Sequence, residues 1–322
     1  MREELAEVRL KTGETLKVMV VEAPDDEHAG TVLNLLSHKG EMRQWQFVED
    51  FAGRAPGLRS RYYLGFIEGR AVANISVWES GPAGNLGHVH TLEAHRRKGI
   101  CKAVMGAQMD DFRARGGELI VLGTGYDGHP YHIYRSFGFE SMVPGSGAMV
   151  YVGNRAFYEE HYRSGAVTCG AAEWRDLGWV CALMASPDGD WLRSRGSSKL
   201  GPNCYEGAFV QDMHGVRQGE RQTRVARLAN GAVVGYAALR TGCDWEERVS
   251  LLDVFALPEF SGCAAELVEG LEWPSGPTHC YVDAGSALRE TLQASGFGEA
   301  GCLAGVMQRA DGAAADAVLL SR

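Results

Sequence analysis

His88-Val-His-Thr-Leu-Glu-Ala-His-Arg-Arg-Lys-Gly-Ile-Cys-Lys102 is the stretch on which the reading of the fold turns. Residues 87–92 have the β-rich character of a strand and run straight into a basic, glycine-containing loop. An amphipathic helix over about 98–115 follows, then a short apolar strand at 119–122 and a short helix that ends near Phe137, within Tyr134-Arg-Ser-Phe-Gly-Phe139. A strand–loop–helix turn of this kind presents free backbone N–H groups and a positive helix end to an anion. Arg96, Arg97, Lys98 and Lys102 add fixed charge, so the loop through Gly99, Ile100 and Cys101 is a candidate site for a phosphate-bearing ligand.

Outward from this stretch, 16–21 predicts an opening strand, and Asp25-Asp-Glu begins a helix with acidic residues at its positive end. A second helix is expected over 41–51. The runs 61–67 and 71–78, joined by Glu68-Gly69-Arg70, predict a hairpin, and two strands near 139–142 and 148–152 close the unit. The second half repeats this order at an offset of about 160 residues, which points to duplication of a whole domain rather than a solenoid. Residues 229–239 echo the hairpin, 249–262 echo the strand and loop, and 288–297, ending Ala-Ser-Gly-Phe, echo 131–139. The expected architecture is α/β, with a mixed (α+β) sheet in each of two tandem domains, 1–155 and 165–322; the alternative is one large α/β domain. The stretch 194–222, rich in Gly, Ser and polar residues, is expected to be an insertion or a long loop of the second unit.

With 322 residues, 45% hydrophobic and 23% charged, the chain has the composition of a globular protein long enough for two domains. No apolar run approaches the roughly 20 residues that span a bilayer. Met1-Arg-Glu-Glu-Leu-Ala-Glu lacks the layout of a secretion signal. A cytoplasmic protein with no membrane partner is expected. The net charge of −9 argues against a nucleic-acid partner and favours a cationic substrate such as an amine. The eight cysteines are scattered, without Cys-x-x-Cys spacing, so neither a metal nor a disulfide framework is expected. A homodimer is left open.

In order and spacing, Arg96-x-x-Gly99-x-Cys101 and Tyr134 before Gly138-Phe139 resemble the core of the GCN5-related N-acetyltransferases, the GNAT superfamily. Arg97 and Cys101 depart from that pattern, which more often has glycine at the first position and glycine or alanine at the second. The resemblance implies acetyl-CoA as co-substrate and N-acetylation of a small primary amine by direct attack in a ternary complex. An amino acid, an aminoglycoside-like compound, a polyamine and an amino sugar are the candidate acceptors. It implies that the N–H groups of 97–101 hold the pyrophosphate, that the backbone of His90, Thr91 and Leu92 pairs with the pantetheine arm, and that Tyr134 protonates the departing thiolate. In the second half the aligned loop is Ser261-x-x-Ala264-x-Glu266, without a cation, and Leu292 stands at the tyrosine position; loss of cofactor binding there is expected, leaving a structural or substrate-enclosing role. The alternatives are a CoA-binding sensor without turnover and another acyl-CoA reaction, such as decarboxylation.

His88 and His90, two apart on a strand, are candidates for the base that takes the amine proton, against a structural reading. Glu79 and Glu93 are runners-up, each also readable as a surface carboxylate. His129 and His132 are candidates to line the same cleft, Cys101 is a less favoured nucleophile than packing residue, and Arg43, Trp45 and Phe47 are candidates for the acceptor pocket.

Overall fold

The computed structural model describes residues 2–163, 165–245 and 247–322. Glu68 and Gly69 both take positive φ, 49° and 77°, and close the expected hairpin between β3 (Arg59–Ile67) and β4 (Arg70–Ser80) with a two-residue turn, Arg70 belonging to β4 rather than to the connection. Around this hairpin β1 (Arg2–Arg9), β2 (Thr15–Glu22), β5 (Ala83–Thr91), β6 (Leu119–Gly123), β7 (Glu140–Ser141) and β8 (Ala148–Val152) complete a sheet of order β1-β2-β3-β4-β5-β6-β8-β7. Its helices are α1 (Asp26–Leu35), α2 (Glu41–Phe51), α3 (Ile100–Ala114) and α4 (His129–Arg135). Asp25 caps α1 by accepting from the His28 N–H at 3.0 Å.

After α5 (Phe157–His161), the second half runs β9 (Val167–Ala171), α6 (Leu177–Ala185), the hairpin of β10 (Leu192–Ser194) and β11 (Lys199–Leu200), and α7 (Glu206–Gln218). It continues with β12 (Arg221–Leu228), β13 (Val233–Asp244), β14 (Val249–Ala256), α8 (Cys263–Glu269), β15 (Thr278–Asp283), α9 (Leu288–Ala294), β16 (Gly298–Gln308) and β17 (Ala314–Ser321). Its sheet order, β9-β12-β13-β14-β15-β17-β16, is that of β2-β3-β4-β5-β6-β8-β7. Each sheet has one parallel pair at the equivalent place, β5 with β6 and β14 with β15. The fold is therefore mixed α/β, built on two large mixed sheets of like topology.

Two expectations need correction. β1 is a strand that the sequence reading leaves out. The stretch 194–222 is not one loop: it carries the end of β10, then β11, all of α7 and the start of β12.

Every residue of α6 is buried. A helix apolar on all sides needs cover on all sides, and α6 finds it between β4, β5 and β6 of the first sheet and β13 of the second. Gly178 is what permits the close approach: its N–H donates to Ser80 Oγ at 3.1 Å, and a Cβ there would lie 2.5 Å from the Ala83 carbonyl oxygen. One apolar core thus runs through both halves, while α3 covers the other face of the first sheet with Val104, Met105, Met109 and Phe112. Among the described residues no helix is long and apolar enough to cross a membrane.

Asp50 sits in that shared core, accepting from Tyr62 Oη at 2.6 Å and Trp78 Nε1 at 2.7 Å. Burial pushes its carboxyl up to about 6. The native state therefore holds this proton more tightly than the unfolded chain, and the stability it confers is lost as pH rises from about 4 to about 6. Asp50→Asn keeps an acceptor for both donors and does not titrate. Denaturant melts should show the variant gaining on wild type across that window by on the order of 3 kcal/mol, and a constant difference would contradict this.

Candidate functional site

β5 and β6 pair only through Ala83–Asn85 and Leu119–Val121, and beyond that point they diverge. β5 also carries a bulge: Asn74 pairs with His90 and Ser76 with Gly87, so two residues of β5 face one of β4. His88 takes φ +50°, a strained conformation for a histidine that marks functional sites more often than plain strands. The regular strand expected under His88 and His90 is thus interrupted.

The bulge sends His88 between Phe47 and Trp78, whose rings meet it edge-on at 4.9 and 5.3 Å. His88 Nε2 is buried without a hydrogen-bond partner, and Glu206 Oε1 lies 3.9 Å away, beyond hydrogen-bond length. Burial pulls the His88 imidazole below its ordinary range, so it is neutral at neutral pH and able to accept a proton. His90 packs against His38 with ring centroids 4.1 Å apart and planes tilted by 34°, and burial, helped by His38, Lys39 and Arg96, lowers it to about 4.

Leu92 donates its N–H to Val72 O at 2.9 Å and so faces β4; that amide is not free for a ligand. Thr91 O turns to the other side and accepts from Arg96 Nε at 3.1 Å. The loop then takes two left-handed residues, Arg97 at φ +64° and Gly99 at +87°. Arg97 holds the conformation without glycine's freedom, at about 1–2 kcal/mol. Gly99 caps α3 with no side-chain bond, so the N–H groups of Ile100, Cys101 and Lys102 have no helical acceptor. Arg96, Arg97 and Lys102 are exposed, while Lys98 is held by Glu14 at 2.8 Å. The donor set fits a pyrophosphate.

Tyr134 is buried on α4, its ring 6.1 Å from Phe139. Its hydroxyl makes no hydrogen bond to protein among the described residues. Burial, with the Cys101 thiol beside it, pushes the phenol above its ordinary range, so it keeps its proton. Cys101 is itself pushed up to about 11 by burial, which leaves a thiol rather than a nucleophilic thiolate.

Other candidates fall elsewhere. Glu79 is buried, not on the surface, and accepts from Arg115 Nη2 at 2.6 Å on the α3 face; Glu93 is exposed. His129 and His132 are exposed, and His132 lies 3.1 Å from Asp127. Among the described residues no three His, Cys, Asp or Glu side chains gather as metal ligands. Trp45 packs on Trp174 and His214 of the second half, and Phe47 lies in the core.

A cleft of about 560 Å³ opens where β5 and β6 part. Arg43, Leu86 and His88 line it from the first half, and Lys199, Asn203 and Glu206 from the second. Glu206, buried and ion-paired with Arg43, escapes sequence reading because it lies far along the chain in a stretch that reads as loop.

The corresponding opening in the second half is filled. β14 and β15 pair only through Ser250–Leu252 and Thr278–Cys280, and the chain around β10 bridges the gap beyond. Trp191 N and Leu192 N donate to Asp283 on β15 at 2.6 and 2.9 Å, and Ser194 Oγ and Arg195 N donate to Asp253 on β14 at 2.6 and 2.8 Å. Arg193 is buried with its guanidinium 4.1 Å over the Phe255 ring. Residues 258–264 contain no left-handed residue and no cation, and Leu292 is buried.

Residues 54–142, which contain the bulge, the loop and Tyr134, match the model of the acetyltransferase (GNAT) domain. No curated protein matches the chain. Solved structures similar to it include a GNAT superfamily phosphinothricin acetyltransferase from Sinorhizobium meliloti in complex with AcCoA, 17% identical, with 49% of this chain and 88% of that one covered at a TM-score of 0.41. A ribosomal-protein-alanine N-acetyltransferase from Brucella melitensis is 21% identical over 48% of this chain and 98% of its own, at 0.39. An N-acetyltransferase from Staphylococcus aureus Mu50 is 14% identical over 49% and 98%, also at 0.39.

Proposed function

We propose that the chain is an acetyl-CoA-dependent N-acetyltransferase that acetylates a primary amine of a small molecule by direct attack, using one cofactor site in the first half. The observation that carries this reading is the parting of β5 from β6 beside the left-handed loop that opens α3, all within the segment matching the acetyltransferase domain. The loop N–H groups and Arg96, Arg97 and Lys102 hold the pyrophosphate, the open edge of β5 takes the pantetheine arm, and Tyr134 returns a proton to sulfur. Residues 1–155 then form the catalytic unit and 165–322 a unit that has given up its own cofactor site and helps enclose the substrate. Support for that division comes from β10, which lies where a second pantetheine arm would have to enter.

Calorimetry with acetyl-CoA tests the assignment. One site per chain is expected, weakened at least about a hundredfold by Arg96→Glu, which turns a phosphate contact into a repulsion. Two sites, or one site indifferent to Arg96→Glu, would overturn it. So would an absence of binding.

A further inference from the structure

We propose that the acceptor is a small amine that also carries a carboxylate, an amino acid in chemical class, and that the second half supplies part of its binding site. This rests on the acetyltransferase reading above. The cleft mouth holds two cations, Arg43 and Lys199, against one carboxylate, Glu206, with a neutral His88 between. Arg43 spends Nη1 on Glu206 and Gln46, and its other nitrogens donate to no protein group among the described residues. Lys199 Nζ has one contact, Asn203 Oδ1 at 3.4 Å, and no ion pair among the described residues. This surplus of positive donors suits an anionic group and repels a polyamine or a polycationic aminoglycoside, although the chain as a whole carries −9.

In the same cluster His88 Nε2 is buried and makes no hydrogen bond, the Glu206 Oε1 that pairs with Arg43 lying 3.9 Å from it, which is costly unless a ligand completes it. Arg43 and Lys199 hold the carboxylate, and the amine reaches His88. The amine nitrogen bonds to the thioester carbonyl carbon as the carbon–sulfur bond breaks; His88 takes the amine proton, and Tyr134 protonates the sulfur. Glu206 acts through His88 as a positioning residue, its carboxylate steadying the imidazolium that forms.

The test uses the full chain, acetyl-CoA, the L-amino acids, their carboxamides, and spermidine, read by thiol release. At least one amino acid should show kcat/KM about tenfold or more above its carboxamide and above spermidine, the worth of one charge-assisted contact. Lys199→Ala should raise the amino-acid KM about tenfold with kcat kept and bring the acid-to-amide ratio toward one. Glu206→Gln should lower kcat about tenfold and move the acid limb of the kcat–pH profile to lower pH, because the Glu206 carboxylate favours the protonated His88, a shift that a purely structural role would not give. Carboxamides or spermidine turned over as well as the acids, an acid-to-amide ratio untouched by Lys199→Ala, or acetyl-CoA bound with no amino acid acetylated overturns the proposal and leaves the cofactor site standing. Failure to bind acetyl-CoA overturns the parent reading and this one with it.

Discussion

Replacing Tyr134 by phenylalanine should lower kcat by about a hundred- to ten-thousand-fold, the range over which a positioned general acid acts, while acetyl-CoA affinity stays within about twofold. The geometry separates the two effects. The Tyr134 hydroxyl bonds to no protein group among the described residues, so its loss leaves no orphaned partner. The ring stays in place against Phe139, and the groups proposed to hold the phosphates lie on a different element. Burial keeps the phenol protonated through the physiological range, as a proton donor to a departing thiolate must be. Pre-steady-state thiol release and calorimetry on the same samples would decide the matter. A rate within threefold of wild type would remove Tyr134 from the chemistry, and a parallel loss of affinity would make it a binding residue.

Much of this was legible in the sequence because local rules produced it. The Glu68-Gly69 turn, the glycine ahead of α3 and the acidic start of α1 are set within a few residues, and the structure has all three. What was not legible depends on distant partners. β1 is largely exposed at the sheet edge and alternates charged residues with few apolar ones, so it lacks the half-buried period that marks a strand. α7 buries Glu206 and Asp212 against arginines from other elements, and these carboxylates break the apolar stripe by which a helix is recognised. Nothing in His-Val-His spells a bulge. His88 is turned by the register of β4 and by the space between Phe47 and Trp78. The proposed acceptor end of the site stayed hidden for the same reason, since Lys199 and Glu206 meet Arg43 and His88 only once α6 has wedged between the two sheets.

The second large effect is on stability and tests how the second opening is kept shut. Arg240 is almost fully buried and lies between two buried carboxylates: it donates to Asp212 at 3.1 Å and to Asp253, the residue that also holds Ser194 and Arg195. Arg240→Met removes the cation and leaves both carboxylates inside, and breaking a buried pair in this way costs about 3–5 kcal/mol. The remaining donors, Arg221 at 2.6 Å and Tyr236 at 2.9 Å to Asp212 and the Ser194 hydroxyl and Arg195 and Gly196 amides to Asp253, place the expected loss near the lower end, about 3 kcal/mol. Arg221→Met is the control: that side chain is 25% exposed, so water takes up part of the lost interaction and the cost should be about 1 kcal/mol. Urea melts of the two variants should therefore differ clearly, with amide exchange in 191–196 accelerated in Arg240→Met alone, because Asp253 is the shared anchor. Equal losses would mean that the β10 segment stays in the opening by apolar packing, with the carboxylates as passengers.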